Sequence, residues 1–141
     1  MNYFAVCFCC NLLYPVILVI LGGIMRKHYP KEINHFIGYR TGMSMINTET
    51  WVFAQKDCAK RMWKAGRISF PFFIIFQLPF YNKSETAVTL LTFAAAAVGI
   101  SVIIFTALQT EKALKRNFTD DGFRKKIDFI NPENKYDGNK D

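Results

Sequence analysis

The sequence predicts an all-α integral membrane protein, with three transmembrane helices and a cytoplasmic loop that contains an amphipathic interfacial helix. Three observations carry this reading: two long uncharged apolar stretches, a shorter apolar run, and a strongly basic segment between them. Residues 3–25 and 86–108 contain no charged side chain, and each is 23 residues long. As helices they would measure about 34 Å, more than a hydrocarbon core of about 30 Å. Such stretches exclude a soluble globular domain and a disordered chain.

The first stretch has no basic n-region and no small-residue cleavage site. It is also well beyond the length of a signal-peptide core, so it is expected to be retained as a helix. Asn11 lies inside it; one such residue is tolerable in a span and often hydrogen-bonds to a neighbouring helix. Gly22 and Gly23 near its end allow close helix approach or fraying.

Charge placement sets the expected orientation. The chain of 141 residues carries a net charge of +7. Segment 26–67 holds nine basic residues (Arg26, Lys27, Lys31, Arg40, Lys56, Lys60, Arg61, Lys64, Arg67) against Glu32, Glu49 and Asp57. Basic loops stay in the cytoplasm, so the 26–67 loop and the C-terminal tail are expected inside and the N-terminus outside. The same charge attracts anionic head groups, making membrane lipids an expected partner. Direct binding of nucleic acid is not expected.

Residues 26–46 read as a loop, because Pro30 disfavours helical angles at Tyr29 and Gly38 and Gly42 bracket Tyr39, Arg40 and Thr41. A helix should start near Asn47 or Thr48, both good capping types, with Glu49 in its first turn. On a helical wheel Trp51, Ala54, Cys58, Ala59, Met62 and Trp63 share one face, while Lys56, Asp57, Lys60, Arg61 and Lys64 share the other. This describes a helix lying at the membrane interface or packed on the bundle. Phe53, on the polar side, and Gln55, on the apolar side, break the pattern.

The next apolar run, 68–81, is only 14 residues long, about 21 Å of helix. It spans if the preceding helix continues into it from Met62, with Lys64 and Arg67 snorkelling to the surface. The alternative is a re-entrant segment. Residues 82–85 then form a tight turn. The last apolar helix carries the small pair Ala95 and Gly99, a packing signal, and should extend through 111–118. Residues 1–118 are thus expected to form the membrane domain, and the polar stretch 119–141 a flexible cytoplasmic tail.

Little in the chain points to catalysis. Cys7, Cys9, Cys10 and Cys58 form neither a disulfide framework nor a metal-ligand spacing, so no metal or cofactor is expected. No phosphate loop or recognisable acid–base pair occurs, and His28 and His35 read as solvated loop residues. The dense polar cluster is Asn34, Gly38, Tyr39, Arg40, Thr41, Ser44, Asn47, Trp51 and Gln55. Read physically, these residues either organise the loop or form a binding site. Gln55 in particular needs a polar partner, which a loop backbone carbonyl can supply.

The string Asn34-x-x-Ile37-Gly38-Tyr39-Arg40-Thr41, followed by Ser44, Asn47, Trp51 and Ala54, resembles the SdpI family of small bacterial membrane proteins. Gln55 stands where that family usually has Asn. The resemblance implies a plasma-membrane immunity protein that protects against a secreted antimicrobial peptide toxin. It also implies a signalling role in which a cytoplasmic transcriptional repressor is held at the membrane. The competing reading is a small membrane enzyme acting on a peptide or lipid at the inner interface through Arg40, Glu49, His35 and Tyr39. A packing subunit of a larger transporter is a third.

Overall fold

A computed structural model describes residues 2–125. Three long helices dominate: α1 (Tyr3–Lys27), α2 (Thr48–Gln77) and α3 (Glu85–Asn117). Short 3-10 turns occupy Met43–Met45 and Leu78–Phe80. Among the described residues there is no strand, only one antiparallel bridge between Phe118 and Arg124.

Local chemistry accounts for the helix limits. Asn47 caps α2: its side chain accepts from the Thr50 amide at 2.9 Å, and the Thr50 hydroxyl accepts from the Asn47 amide at 3.2 Å. This reciprocal arrangement satisfies donors that a helix start otherwise leaves unmade. Ser84 caps α3, with Glu85 in its first turn and Lys115 and Arg116 in its last, charges that complement the helix dipole.

The amphipathic stretch is not a separate interfacial element. It is the first half of α2, which runs unbroken for 30 residues, about 45 Å. Pro71 lies inside this helix. It removes one amide donor and frees the Arg67 carbonyl, yet the helix continues because α1 packs against it on both sides of the proline.

That packing relies on glycine. A Cβ on Gly22 would lie 2.5 Å from the Trp63 amide nitrogen, and one on Gly66 would lie 2.8 Å from the Val19 nitrogen and 2.9 Å from the Pro15 carbonyl oxygen. The contact continues to the far end, where Asn11 Nδ2 donates to Gln77 Oε1 at 2.8 Å and Phe4 meets Tyr81 edge-on. Asn11 thus bonds to a neighbouring helix, with Gln77 of α2 as its partner. On α3, Gly99 lies against the Tyr14 ring and Ala95 is buried.

Polarity runs inside-out. Asn11, Ser69, Gln77, Thr106 and Thr110 are buried, whereas Leu13, Ile17, Ile20, Phe93, Ile104 and Phe105 are exposed. Water would penalise so broad an apolar exterior, while hydrocarbon favours it and requires internal polar partners. Both α1 and α3 are long and apolar enough to cross a membrane. The second half of α2 exposes Ile68, Phe72, Ile75 and Phe76 while burying Ser69 and Gln77, the same inversion.

After α3 the chain turns back. Gly122, at φ +79°, permits the turn, and Phe118 is buried against Met43, Ala54 and Leu114. Residues 119–125 therefore lie against the start of α2. The remainder of the tail expected from the sequence, 126–141, lies outside the described residues.

Candidate functional site

The loop between α1 and α2 folds down onto the α2 and α3 helices through bonds made largely by the residues that stood out in the sequence. Asn34 Oδ1 accepts from the amides of Phe36 and Ile37 at 3.0 and 2.8 Å, making a tight turn. Gly38 follows at φ +114°, and a Cβ there would fall 2.5 Å from Gln55 Oε1. Only glycine meets both conditions.

Gln55 then pairs with the backbone of Tyr39 in both directions. Its Oε1 accepts from the Tyr39 amide, and its Nε2 donates to the Tyr39 carbonyl, each at 2.7 Å. A fully buried side-chain amide thus replaces a strand neighbour for one residue of loop. This explains its place on the apolar face of α2: its partner is the loop backbone, as its chemistry required.

The Tyr39 hydroxyl donates to the Ala107 carbonyl at 3.0 Å and lies 3.4 Å from Glu111 Oε2, fastening the loop to α3. Burial, with the neighbouring Glu111 carboxylate adding to it, pushes this phenol up to about 12; it stays a donor at ordinary pH. Thr41 and Ser44 exchange hydrogen bonds between backbone amides and side-chain oxygens. Trp51, fully buried, donates from Nε1 to the Pro30 carbonyl at 2.8 Å.

Asn47, besides capping α2, donates from Nδ2 to the Gly122 carbonyl at 2.8 Å. Phe53, an anomaly on the wheel, packs edge-on against Phe118. The returning chain covers that side of the helix. Neither contact was visible in the sequence, since the polar 119–125 stretch gives no sign of its destination. The acceptors on Pro30 and Ala107 are backbone carbonyls and carry no residue-type signal either.

Seven of the nine cluster residues are therefore brought together by bonds among themselves and to adjoining backbone, and Gly38 joins them through its close contact with Gln55. Arg40 is the exception: it is exposed and has no hydrogen-bond or ion-pair partner among the described residues. Beside it, Phe36 and Ile37 are 93% and 67% exposed. His28 and His35 are also exposed, and no group of metal-binding side chains occurs among the described residues.

Beneath the loop lies a groove of about 800 Å³. Ile17, Leu18, Leu21 and Met25 of α1 form one wall, and Ile103, Thr106 and Ala107 of α3 the other. Cys58 and Met62 of α2 make the floor, and Phe36–Tyr39 close the loop end. Burial, with Asp57 adding to it, pushes the Cys58 thiol up to about 11, so it is a poor nucleophile at neutral pH. At the opposite end of the groove the Tyr14 hydroxyl is buried without a hydrogen-bond partner.

A family model for the SdpI/YfhL protein family matches residues 31–107, more than half of the chain. The chain belongs to this family. The SdpI/YfhL match begins within the loop, takes in all of α2 and ends at Ala107, the residue whose carbonyl holds Tyr39. It thus covers the whole hydrogen-bonded cluster apart from its contacts with Pro30, Glu111 and Gly122. No curated protein and no solved structure matches the chain.

Proposed function

We propose that this protein is a bacterial plasma-membrane immunity protein that captures a secreted, membrane-active peptide in the groove between α1 and α3. The observation that carries the proposal is the groove itself. It is almost wholly apolar and is closed at one end by the motif loop. An amphipathic peptide segment would bury its apolar face there. Family membership supports the same reading.

In this reading α2 crosses the membrane with α1 and α3. Its second half lies alongside α1 and shows the same inverted polarity. The N-terminus lies outside, and the 26–67 loop and the tail lie in the cytoplasm, as the basic residues favour. Arg40 and the exposed side of the loop then face the cytoplasm, where a transcriptional repressor would dock and be sequestered. The enzyme alternative gains nothing from the groove, whose two ionisable groups nearest the loop, Tyr39 and Cys58, both hold their protons.

The test is expression in toxin-sensitive cells challenged with a panel of membrane-active peptides, with membrane abundance scored in parallel. Protection by the native chain, lost in Phe36→Ser/Ile37→Ser at unchanged abundance, is the expected result. Killing that the native chain leaves unaltered across the panel would overturn the proposal.

A further inference from the structure

A second feature lies on the lipid-facing side of the α1–α2 pair and is independent of the groove and of the function proposed for it. Trp63 of α2 is flanked by two arginines. The Arg26 guanidinium carbon lies 4.3 Å from the indole centroid and that of Arg67 lies 4.4 Å from it. Arg26 ends α1, and Arg67 is one helical turn beyond Trp63, further into the bundle. Its side chain therefore reaches back toward the loop-side surface, as a charged group does at the edge of hydrocarbon.

Both arginines are exposed, and neither forms an ion pair among the described residues. Their separation can be no greater than the sum of the two distances to the shared ring. That places two like charges about within a Debye length of each other. The indole accommodates each cation on its π-face but supplies no negative charge, so among the described residues the pair lacks an anion.

Arg67 also lines a groove of about 380 Å³, together with Val16, Val19 and Ile20 of α1 and Phe70 of α2. One cation of the pair, Arg67, therefore borders an otherwise apolar groove. This is the pattern of charge and grease in a phospholipid. We infer that Arg26, Trp63 and Arg67 form a binding site for the phosphate of an anionic phospholipid, one acyl chain of which lies in the Val16–Phe70 groove. Guanidinium forks match phosphate oxygens bidentately, and the indole holds both forks in place before the lipid arrives.

The experiment uses the full chain, delipidated in detergent. It is titrated with phosphatidylglycerol or with phosphatidylcholine of the same acyl chains, and bound lipid is counted by native mass spectrometry. One interfacial cation contributes roughly fivefold to anionic-lipid attraction, so retention of phosphatidylglycerol should exceed that of phosphatidylcholine by on the order of tenfold. The Arg26→Gln/Arg67→Gln variant should lose this preference, whereas Lys60→Gln/Lys112→Gln, which removes the same charge elsewhere, should keep it. Should the double variant fail to fold, Arg26→Gln alone carries the test, with a loss of about fivefold expected.

Equal retention of the two lipids overturns the site. So does a preference that survives loss of the arginines, or one that falls equally in the lysine variant. Inorganic phosphate that protects the delipidated protein against heat as well as phosphatidylglycerol does would assign the arginines to a free anion instead.

Discussion

The two ends of the bundle are held together by different means. Along the helices to the far end, α1, α2 and α3 meet through small residues and shape, with a few buried amides and hydroxyls such as Asn11 and Gln77. At the loop end, a chain of side-chain-to-backbone hydrogen bonds from Asn34 to Gln55 sets the path almost residue by residue. Packing in lipid tolerates many apolar sequences provided the glycines remain. A loop without regular structure has no such latitude, because each buried backbone group needs its own partner. A recognisable string of residues is therefore concentrated in the loop, and the long helices carry composition instead.

The largest effect should come from the packing end. Gly66→Val would drive a side chain into the α1 backbone at Pro15 and Val19, which cannot rotate away. A loss of about 3 kcal/mol is expected, read as a fall in the unfolding midpoint in detergent. A normal midpoint would mean that the two helices are not in the contact described.

Gln55→Leu should come next, at about 2 kcal/mol. It strips the Tyr39 amide of its acceptor and leaves the carbonyl only the Ser44 hydroxyl at 3.3 Å. The damage should be local: hydrogen exchange should rise through residues 36–41 while the Gly22–Trp63 contact stays protected. Loss of protection throughout the bundle would show that the two ends are not separable.

Tyr39→Phe should cost about 1 kcal/mol and should also remove a pH dependence. The fold raises this phenol from 10.0 to about 12, so it favours the protonated form. That stabilisation is complete below pH 10, declines as the pH climbs through this window, and is gone above about 12. Alkaline melts of the native chain and of Tyr39→Phe should therefore converge.

Arg40→Ala should change stability least, by no more than about 0.5 kcal/mol, since no partner among the described residues is lost. Under the proposed function, this variant should keep its membrane abundance and release the cytoplasmic regulator, measured by fractionating the regulator between membrane and cytosol. A regulator that stays on the membrane would move its docking surface away from Arg40.

Much of this was legible in advance, for identifiable reasons. Uncharged stretches long enough to cross a bilayer have few other uses, so α1 and α3 were plain. Asn47 announced a helix start because few residue types can cap one, and a glutamine on an apolar face announced a missing partner. The continuity of α2 was less clear. Proline is a local signal for a break, and the packed neighbour that overrides it is a property of the fold. The return of residues 118–125 could not be seen at all, since its anchors are a backbone carbonyl and a phenylalanine in otherwise polar sequence. Of the site, the loop cluster was visible, but the groove was not. Its walls come from three helices whose lining residues are individually ordinary.

The double duty of Asn47 has one last consequence. One oxygen of its amide secures the opening turn of α2, and the nitrogen grips a carbonyl 75 positions further along. Neither attachment can slacken without disturbing the other. Fraying at the start of one helix and detachment of the strap that follows another should therefore occur as a single event with a shared opening rate.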